Sequence, residues 1–241
     1  MAFFEITDNL SGSLGDLVLK KLQSRILSGE LKAGDWLAPE REMAEEMGIS
    51  RGSLHQAILA LEYQGFVSII PRRGTVVCDY RKHPTPQSLS VIMSYSSAEL
   101  DQSIFGDMMD FRIWLESECA RLACNNIYDS TLTEMKAISS AVAKNGADCV
   151  ELIYQYHYLL TQASGNSIFS MIFRGFEPAI RSLTAHTYEA MGADTAETAQ
   201  RMKKLIACIE ARDEATAAAA AKELLNYGIG NLRTKYNDKG E

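Results

Sequence analysis

The stretch from Leu37 to Val77 constrains the fold more than any other part of this 241-residue chain. A short helix is predicted between Pro39, which suits a first helical position, and Gly48, which ends it. A second helix begins after Ser50, a favourable N-cap. Its apolar residues recur at helical spacing and predict one buried face: Leu54, Ala57, Ile58 and Leu61. Two helices joined by a tight turn are typical of a helix-turn-helix, whose second helix enters the major groove of DNA.

A β-hairpin is predicted directly after the second helix. The β-branched runs Val67–Ile70 and Thr75–Cys78 flank a turn that carries Arg72 and Arg73. Taken alone, two arginines in a turn indicate a solvated tip. Directly after a recognition helix, they favour a wing whose guanidinium groups neutralise phosphate or enter a narrow minor groove.

This order of elements resembles the winged helix-turn-helix of the GntR family of bacterial transcription regulators, over about residues 13 to 78. The motifs that carry the resemblance are PEREMAEEMGISRGSLHQAILALEYQGF and IIPRRGTVV. The resemblance implies that eight residues contact DNA: Arg41, Ser50, Arg51, Ser53, His55, Arg72, Arg73 and Gly74. The sequence departs from the family at His55 and Gln56, where arginine followed by glutamate is common. Because imidazole is shorter than guanidinium and mostly neutral at pH 7, a different base preference is expected.

The charge balance argues against a protein that holds nucleic acid by bulk electrostatics. The formal net charge is −7 and the isoelectric point about 5.2. Residues 1–80 contain eight Lys and Arg against eleven Asp and Glu, a net charge of −3. DNA binding is therefore expected to rest on a few well-placed cations and on two copies, a homodimer, acting together on a palindrome.

Composition and cysteine usage indicate a soluble cytoplasmic protein. Hydrophobic residues make up 46% of the chain, which is ample for a buried core. The five cysteines show no CxxC spacing, so neither a disulfide framework nor a zinc module is indicated. Neither an export signal nor a membrane span is recognisable, so no membrane partner is expected.

Two domains are predicted: a winged helix-turn-helix over 1–80 and an all-α antiparallel bundle over 87–241, with a linker over 81–86 where Pro84 and Pro86 block helix formation. The fold class is thus mainly α. Trp36 is expected to be buried, in a short strand or as a core plug under the wing. The expected helices of the bundle lie near 87–95, 98–124, 129–144, 147–163, 166–190, 195–211 and 214–235, and Pro178 should kink the fifth of them.

The bundle resembles the C-terminal effector domain of the FadR subfamily, called FCD, through FRIWLESECARLAC and YQYHYLLTQASGN. In metal-binding members an aspartate and three histidines hold a divalent ion. Here His157 matches the first histidine, Ile153 replaces the aspartate, and the later histidines fall near Met202 and Leu224. One histidine is too few donors, so neither a metal nor another cofactor is predicted. The resemblance then favours an acyl-CoA or small organic acid as effector.

Candidate effector-binding residues cluster on the predicted helices of the bundle. Arg112 and Glu116 share one helical face, so a guanidinium in an apolar cavity could bind a ligand carboxylate or phosphate. Alternatively, the two pair with each other as a structural ion pair. The full candidate set is Arg112, Glu116, Tyr154, His157, Arg174, Arg181 and Met202. A hydrogen-bonded core histidine, solvated arginines and plain core packing would explain the rest of the set equally well.

Three functions remain open at this point. The first is a homodimeric, ligand-responsive transcription regulator on a palindromic operator. The second is a DNA-bound architectural protein whose second domain only dimerises. The third is an enzyme with an appended nucleic-acid module, against which the chain has no GxSxG, HExxH or Walker-type motif. No catalytic residue is predicted.

Overall fold

The structure is a computed structural model that describes residues 14–95, 102–144, 149–190 and 194–237. The chain forms two compact units, and the division falls within the fourth helix, after Ile92. Most of that helix is therefore grouped with the first unit rather than with the bundle to which the sequence assigned it.

In the described residues, the first unit contains four helices and a two-stranded antiparallel sheet. The elements are α1 Leu14–Leu27, α2 Glu40–Met47, α3 Arg51–Tyr63, β1 Val67–Ile70, β2 Gly74–Val77 and α4 Pro86–Ser94. The apolar face expected of α3 is buried at all four positions: Leu54, Ala57, Ile58 and Leu61. The predicted helix-turn-helix and wing are thus confirmed.

Local capping explains where α2 and α3 begin and end. Gly48 ends α2 with φ 65°, a left-handed conformation that glycine adopts without steric cost. Ser50 caps α3, since its hydroxyl accepts a hydrogen bond from the Ser53 backbone N–H at 3.0 Å. The wing is tied to α3 where the Ile69 N–H donates to the Glu62 carboxylate at 2.7 Å. The Ser50 bond fixes the start of α3, and the Glu62 bond joins its last turn to the hairpin.

Trp36 pairs with the wing but is not buried, so the burial predicted for it is wrong. It forms an isolated antiparallel bridge with Val76, and the Leu37 N–H donates to the Thr75 carbonyl at 2.9 Å. The segment therefore acts as a short third strand. The indole remains 48% exposed, because it lies beside the wing tip, with the Arg73 guanidinium carbon 5.3 Å from its ring centroid.

The second unit is all α in the described residues, which confirms the predicted fold class. Its elements are α5 Gln102–Asn126, α6 Asp129–Val142, α7 Cys149–Ala163, α8 Ser167–Gly175, α9 Glu177–Ala185, a π-helical turn His186–Ala190, α10 Thr195–Glu210 and α11 Glu214–Asn237. The long helices α5, α7, α10 and α11 pack around a continuous apolar core.

The helix predicted over 166–190 is three elements, which corrects the sequence interpretation. Helix α8 ends at Gly175, Phe176 joins it to α9, and Pro178 lies in the first turn of α9. Proline is tolerated there because the missing N–H has no intrahelical partner in any case. Pro178 therefore starts a helix and does not kink one.

Candidate nucleic-acid interface and effector cavity

The start of α3 presents polar and cationic side chains to solvent. Arg51 is the first residue of α3, and His55 lies one turn later on the same face. Both are exposed, and Arg51 has no ion-pair partner among the described residues. The Ser50 and Ser53 hydroxyls lie 2.8 Å apart at the cap, with Ser53 half-buried. This arrangement leaves the N-terminal end of α3 open for contact with a groove.

The wing tip places two more cations in solvent. Arg72, Arg73 and Gly74 are all exposed in the turn between β1 and β2. Arg72 has φ 64°, a left-handed conformation that costs a non-glycine residue about 1 to 2 kcal/mol. Gly74 has φ 117°, which only glycine adopts readily. These two backbone conformations shape the turn and leave the Arg72 and Arg73 side chains exposed at its tip.

Helix α2 brings carboxylates toward the same surface. Arg41 forms an exposed ion pair with Glu45 at 3.0 Å. The Glu45 carboxylate therefore partly neutralises the charge of Arg41 in the absence of DNA. The His55 Nδ1 atom lies 3.2 Å from both carboxylate oxygens of Glu40. The sequence favours Glu40 in the first turn of α2 and places the carboxylates of this helix away from the DNA-contacting residues, which is wrong for Glu40. Its contact with His55, across 15 residues, follows from the packing of α2 against α3.

In the second unit, Arg112, Glu116 and His157 form a buried ion triad. The Arg112 Nε donates to one Glu116 oxygen at 2.6 Å, and His157 Nδ1 contacts the other oxygen. The Glu116 side chain is 0% exposed and the other two are nearly as deeply buried. Burial by itself would raise the pKa of Glu116, but His157 and Arg112 outweigh it and hold that pKa below its usual range. Glu116 is therefore an ionised carboxylate between two nitrogen bases.

A small cavity opens beside the triad. Its open space is about 30 Å³, room for about two water molecules. Arg112 and His157 form part of its wall, and neither the Arg112 terminal nitrogens nor His157 Nε2 makes a hydrogen bond within the described residues. The remaining wall comes from Ile153, Leu183, Thr184, Thr187, Tyr188, Thr198, Leu224, Leu225 and Gly228. The cavity thus combines the free N–H donors of the Arg112 guanidinium with a wall of aliphatic and hydroxyl-bearing side chains.

The π-helical turn completes this wall, and the sequence interpretation missed it. The Thr187 hydroxyl donates to the Leu183 and Gly228 carbonyls at 2.9 and 3.1 Å, which joins the turn to α11. The Tyr188 and Thr198 hydroxyls lie 2.7 Å apart. Such π turns are rare and often lie at functional sites. The single helix predicted over 166–190 gave no reason to place Thr187 and Tyr188 at the wall of this cavity.

Of the seven candidate effector residues, Arg112 and His157 line the cavity, Glu116 bonds to both of them, and the other four lie elsewhere. The Arg181 guanidinium carbon lies 4.1 Å from the Tyr154 ring centroid, and its nitrogens pair with Glu151 and Glu177. Arg174 lies over the Tyr158 ring of the same aromatic cluster, at 5.4 Å. Met202 is fully buried in the core. Tyr154, Arg174 and Arg181 thus belong to a separate network of ion pairs and aromatic rings, and Met202 is a core residue. Of the candidate set, Arg112, Glu116 and His157 are brought together.

The donor set beside His157 does not fit a metal ion. Ile153 and Leu224 line the cavity with hydrocarbon where oxygen or nitrogen ligands would be needed. In the described part of the chain, no group of three His, Cys, Asp or Glu residues is placed to hold a metal.

Two family models match the chain. The model described as bacterial regulatory proteins, gntR family, covers residues 14–77, and the FCD domain model covers residues 107–227. This chain belongs to the GntR family. It is a transcription regulator with an FCD effector-binding domain, as the two resemblances implied. No helix in the described residues is long and apolar enough to cross a bilayer.

Relatives of this GntR-family chain carry matching descriptions. The HTH-type transcriptional regulator Mce2R of Mycobacterium tuberculosis is 25% identical over 225 residues, covering 91% of this chain and 92% of the relative. The Glc operon transcriptional activator of Escherichia coli is 25% identical over 161 residues, covering 64% and 61%. The solved structure of Lar from Listeria monocytogenes has a TM-score of 0.56 at 18% identity, covering 93% and 99%. The last comparison supports the fold alone.

Proposed function

We propose that this regulator acts as a homodimer on a palindromic operator, and that a small organic acid bound beside the buried ion triad controls its affinity for DNA. The single observation that carries the effector half is Arg112, a buried guanidinium with free N–H donors at the wall of a cavity. The DNA half rests on Arg51, Arg72 and Arg73, which are exposed on two adjoining elements.

Two copies are needed because one winged helix-turn-helix, called here a reading head, carries few cations. With a net charge of −3 over residues 1–80, a single head has little non-specific attraction for phosphate. Two heads that address neighbouring half-sites one helical turn apart combine their contacts, and the operator then repeats the two-fold symmetry of the protein.

The size and charge of the cavity favour a small carboxylate over an acyl-CoA. Open space of about 30 Å³ is close to the size of a carboxylate group, whereas pockets for drug-sized ligands measure roughly 300 to 1,000 Å³. Glu116 engages only the Nε–H of Arg112, so the terminal N–H groups of the guanidinium remain free to donate to an anion. Ile153 and Leu224 then contact the hydrocarbon part of the acid.

The effector proposal is tested by ligand binding to wild type and Arg112→Lys. Thermal unfolding of the full chain is followed with a panel of short monocarboxylates and dicarboxylates, and with an acyl-CoA for comparison. A saturating effector should raise the melting temperature. Lysine retains the charge but loses the planar donor fork, so Arg112→Lys should weaken binding of the active acid roughly tenfold or more.

Operator affinity without effector serves as the control and should stay within about twofold of wild type in Arg112→Lys. An unaltered dose-response in this variant would exclude Arg112 from the site. Stabilisation by the acyl-CoA alone would replace the small acid with the larger effector. If neither class stabilises the protein, the effector half of the proposal fails.

A further inference from the structure

His55 on α3 is held by the Glu40 carboxylate of α2. This contact assigns a chemical preference to the surface that carries Arg51, His55, Arg72 and Arg73, called here the reading surface. We propose that Glu40 keeps the neutral imidazole of His55 in its Nδ1–H form, so that Nε2 accepts a hydrogen bond from an exocyclic amino group of a base, adenine N6 or cytosine N4. This inference rests on the proposed DNA contact of His55 and goes beyond it, by naming the group that is read.

The direction of the hydrogen bond follows from the chemistry of the carboxylate. Nδ1 of His55 lies 3.2 Å from each oxygen of Glu40. An ionised carboxylate has no proton to give and only accepts. Nδ1 must therefore carry the hydrogen, and in a neutral ring the opposite nitrogen then has a lone pair and no proton.

The opposite nitrogen is available to DNA. The His55 side chain is 49% exposed, and its Nε2 makes no hydrogen bond within the described residues. His55 lies four residues after Arg51, so both project from the same side of α3 in its first two turns. These turns of a recognition helix are the part that contacts base edges.

Glu40 can remain ionised at this surface. It is the first residue of α2, where unpaired backbone N–H groups and the helix dipole favour negative charge. Its side chain is 31% exposed, so part of it retains contact with water. The carboxylate thus orients the imidazole without needing a buried counter-charge.

The consequence for recognition is an exchange of donor for acceptor. An arginine at this position would donate to guanine N7 and O6 in the major groove. A neutral Nδ1–H histidine cannot donate from Nε2 and instead accepts from the amino group of adenine or cytosine. Glu40 is therefore a positioning residue that sets which base edge His55 can read.

The first experiment determines the tautomer without DNA. Long-range ¹H–¹⁵N correlation spectra of the full chain distinguish a protonated from an unprotonated ring nitrogen, and the chain has only four histidines. His55→Gln identifies the signal. Because histidines change charge between about pH 5 and 8, spectra are recorded at pH 8.5. We expect Nδ1–H in wild type and in Glu42→Ala, and loss of that preference in Glu40→Ala. A protonated Nε2 in wild type would overturn the inference.

Glu42→Ala is the matched control. Glu42 lies in the same first turn of α2, is exposed, and makes no contact with His55 in the described residues. Both variants remove one carboxylate near the reading surface and raise general affinity for phosphate alike. Only Glu40→Ala should change which base edge is read.

The second experiment removes single functional groups from the DNA, also at pH 8.5. Selection from random duplexes by wild type and His55→Ala locates the base pair that depends on His55. At that pair, replacing adenine by purine, or cytosine by 2-pyrimidinone, removes the amino group; 7-deazaguanine removes the N7 acceptor. Loss of the amino group should weaken wild type and Glu42→Ala about fivefold, and Glu40→Ala clearly less. A larger loss from 7-deazaguanine in wild type would overturn the inference.

The outcomes separate this inference from the proposed function. If wild type selects no sequence at all, the proposed DNA function fails and the inference falls with it. If wild type selects a site but His55→Ala selects the same one, the regulator stands and only the inference about His55 falls. Far-ultraviolet circular dichroism of each variant confirms that the fold is retained.

Discussion

The reading surface of the first unit and the buried ion triad of the second use the same kinds of side chain in opposite environments. Arg51, Arg72 and Arg73 are exposed, and the first two have no ion-pair partner among the described residues. Arg112 is buried and bonded to Glu116, which is itself 0% exposed. Exposed charges contribute to binding but little to the free energy of folding. Removing the partner of a buried charge, by contrast, strongly destabilises the fold.

This difference matters for how variants are interpreted. A substitution on the reading surface should change DNA affinity at constant stability. A substitution in the triad should change stability and effector response together, unless charge and shape are both retained. The two units can therefore be told apart by measuring unfolding and binding on the same set of variants.

The largest expected effect is that of Glu116→Ala. Removing the carboxylate leaves the Arg112 guanidinium buried without a counter-charge, which should lower the free energy of unfolding by about 3 to 5 kcal/mol. Denaturant unfolding at pH 7 measures it. Glu118→Ala, which removes a partly exposed ion pair with Arg121 on the same helix, should cost less than about 1 kcal/mol. Equal losses in the two variants would show that burial does not distinguish these pairs.

Acid should reduce the stability that Glu116 contributes. Its pKa in the folded protein is lowered, so its contribution is complete above the pKa of an unfolded glutamate, about 4.3, and is lost as pH falls through the folded value. The advantage of wild type over Glu116→Gln should therefore shrink as the pH falls below about 4. Unfolding free energies across this range measure it. An advantage that grows as the pH falls below about 4 would contradict the assignment of an ionised Glu116.

Arg51→Ala should affect binding and leave folding unchanged. At a base-reading position the loss should be about 1 to 3 kcal/mol of specific operator affinity, with the melting temperature unaltered. Titration of a selected operator measures the first and thermal unfolding the second. Arg25→Ala, which removes a cation of α1 paired with Glu30, is the control and should have a much smaller effect on affinity. Unchanged affinity in Arg51→Ala would place Arg51 outside the groove.

Arg72→Gly should move stability and DNA binding in opposite directions. Because Arg72 has φ 64°, glycine relieves left-handed strain and should stabilise the fold by up to about 1 kcal/mol. Losing a phosphate contact should weaken binding to all sequences and reduce the slope of log affinity against log salt by about 1. Parallel unfolding and salt titrations test both signs. A loss of stability would mean that the Arg72 side chain supports the wing.

Gly228→Ala should have the smallest effect. A Cβ at this position has no heavy atom within 4 Å, and Gly228 lies inside α11. Alanine in a helix interior is favoured over glycine by about 0.5 to 1 kcal/mol, so the free energy of unfolding should rise by that amount. A decrease would indicate that the methyl group collides with the cavity wall.

Local patterns in the sequence predicted most elements of both units. Helical spacing predicted the buried face of α3, and the Ser50 cap and the wing turn followed from turn and cap preferences. The same rules misplaced Pro178, although proline beside Glu177 is a signal for the start of a helix. Trp36 was expected inside because tryptophan is large and apolar, yet Arg73 and the wing keep it at the surface.

Contacts between distant residues were beyond sequence reasoning. The i, i+4 spacing placed Arg112 and Glu116 on one face but could not say whether His157, 41 residues from Glu116, would join them. Nor could it place Arg181 and Tyr154 in a network apart from the cavity, or Glu40 beside His55. Each of these depends on how two helices pack, which local spacing does not encode.

The sequence by itself determined the two kinds of unit and the cations of the reading surface, because periodicity, caps and turns act over a few residues and are written in the order of the chain. Only the tertiary structure decided what those side chains face. It placed the Glu40 carboxylate against His55 and enclosed Glu116 between the Arg112 guanidinium and the His157 imidazole. It also completed the wall of a cavity of about 30 Å³ with a π-helical turn. The physical reason is that burial and charge pairing depend on three-dimensional neighbours, whose identity is set when whole helices pack together.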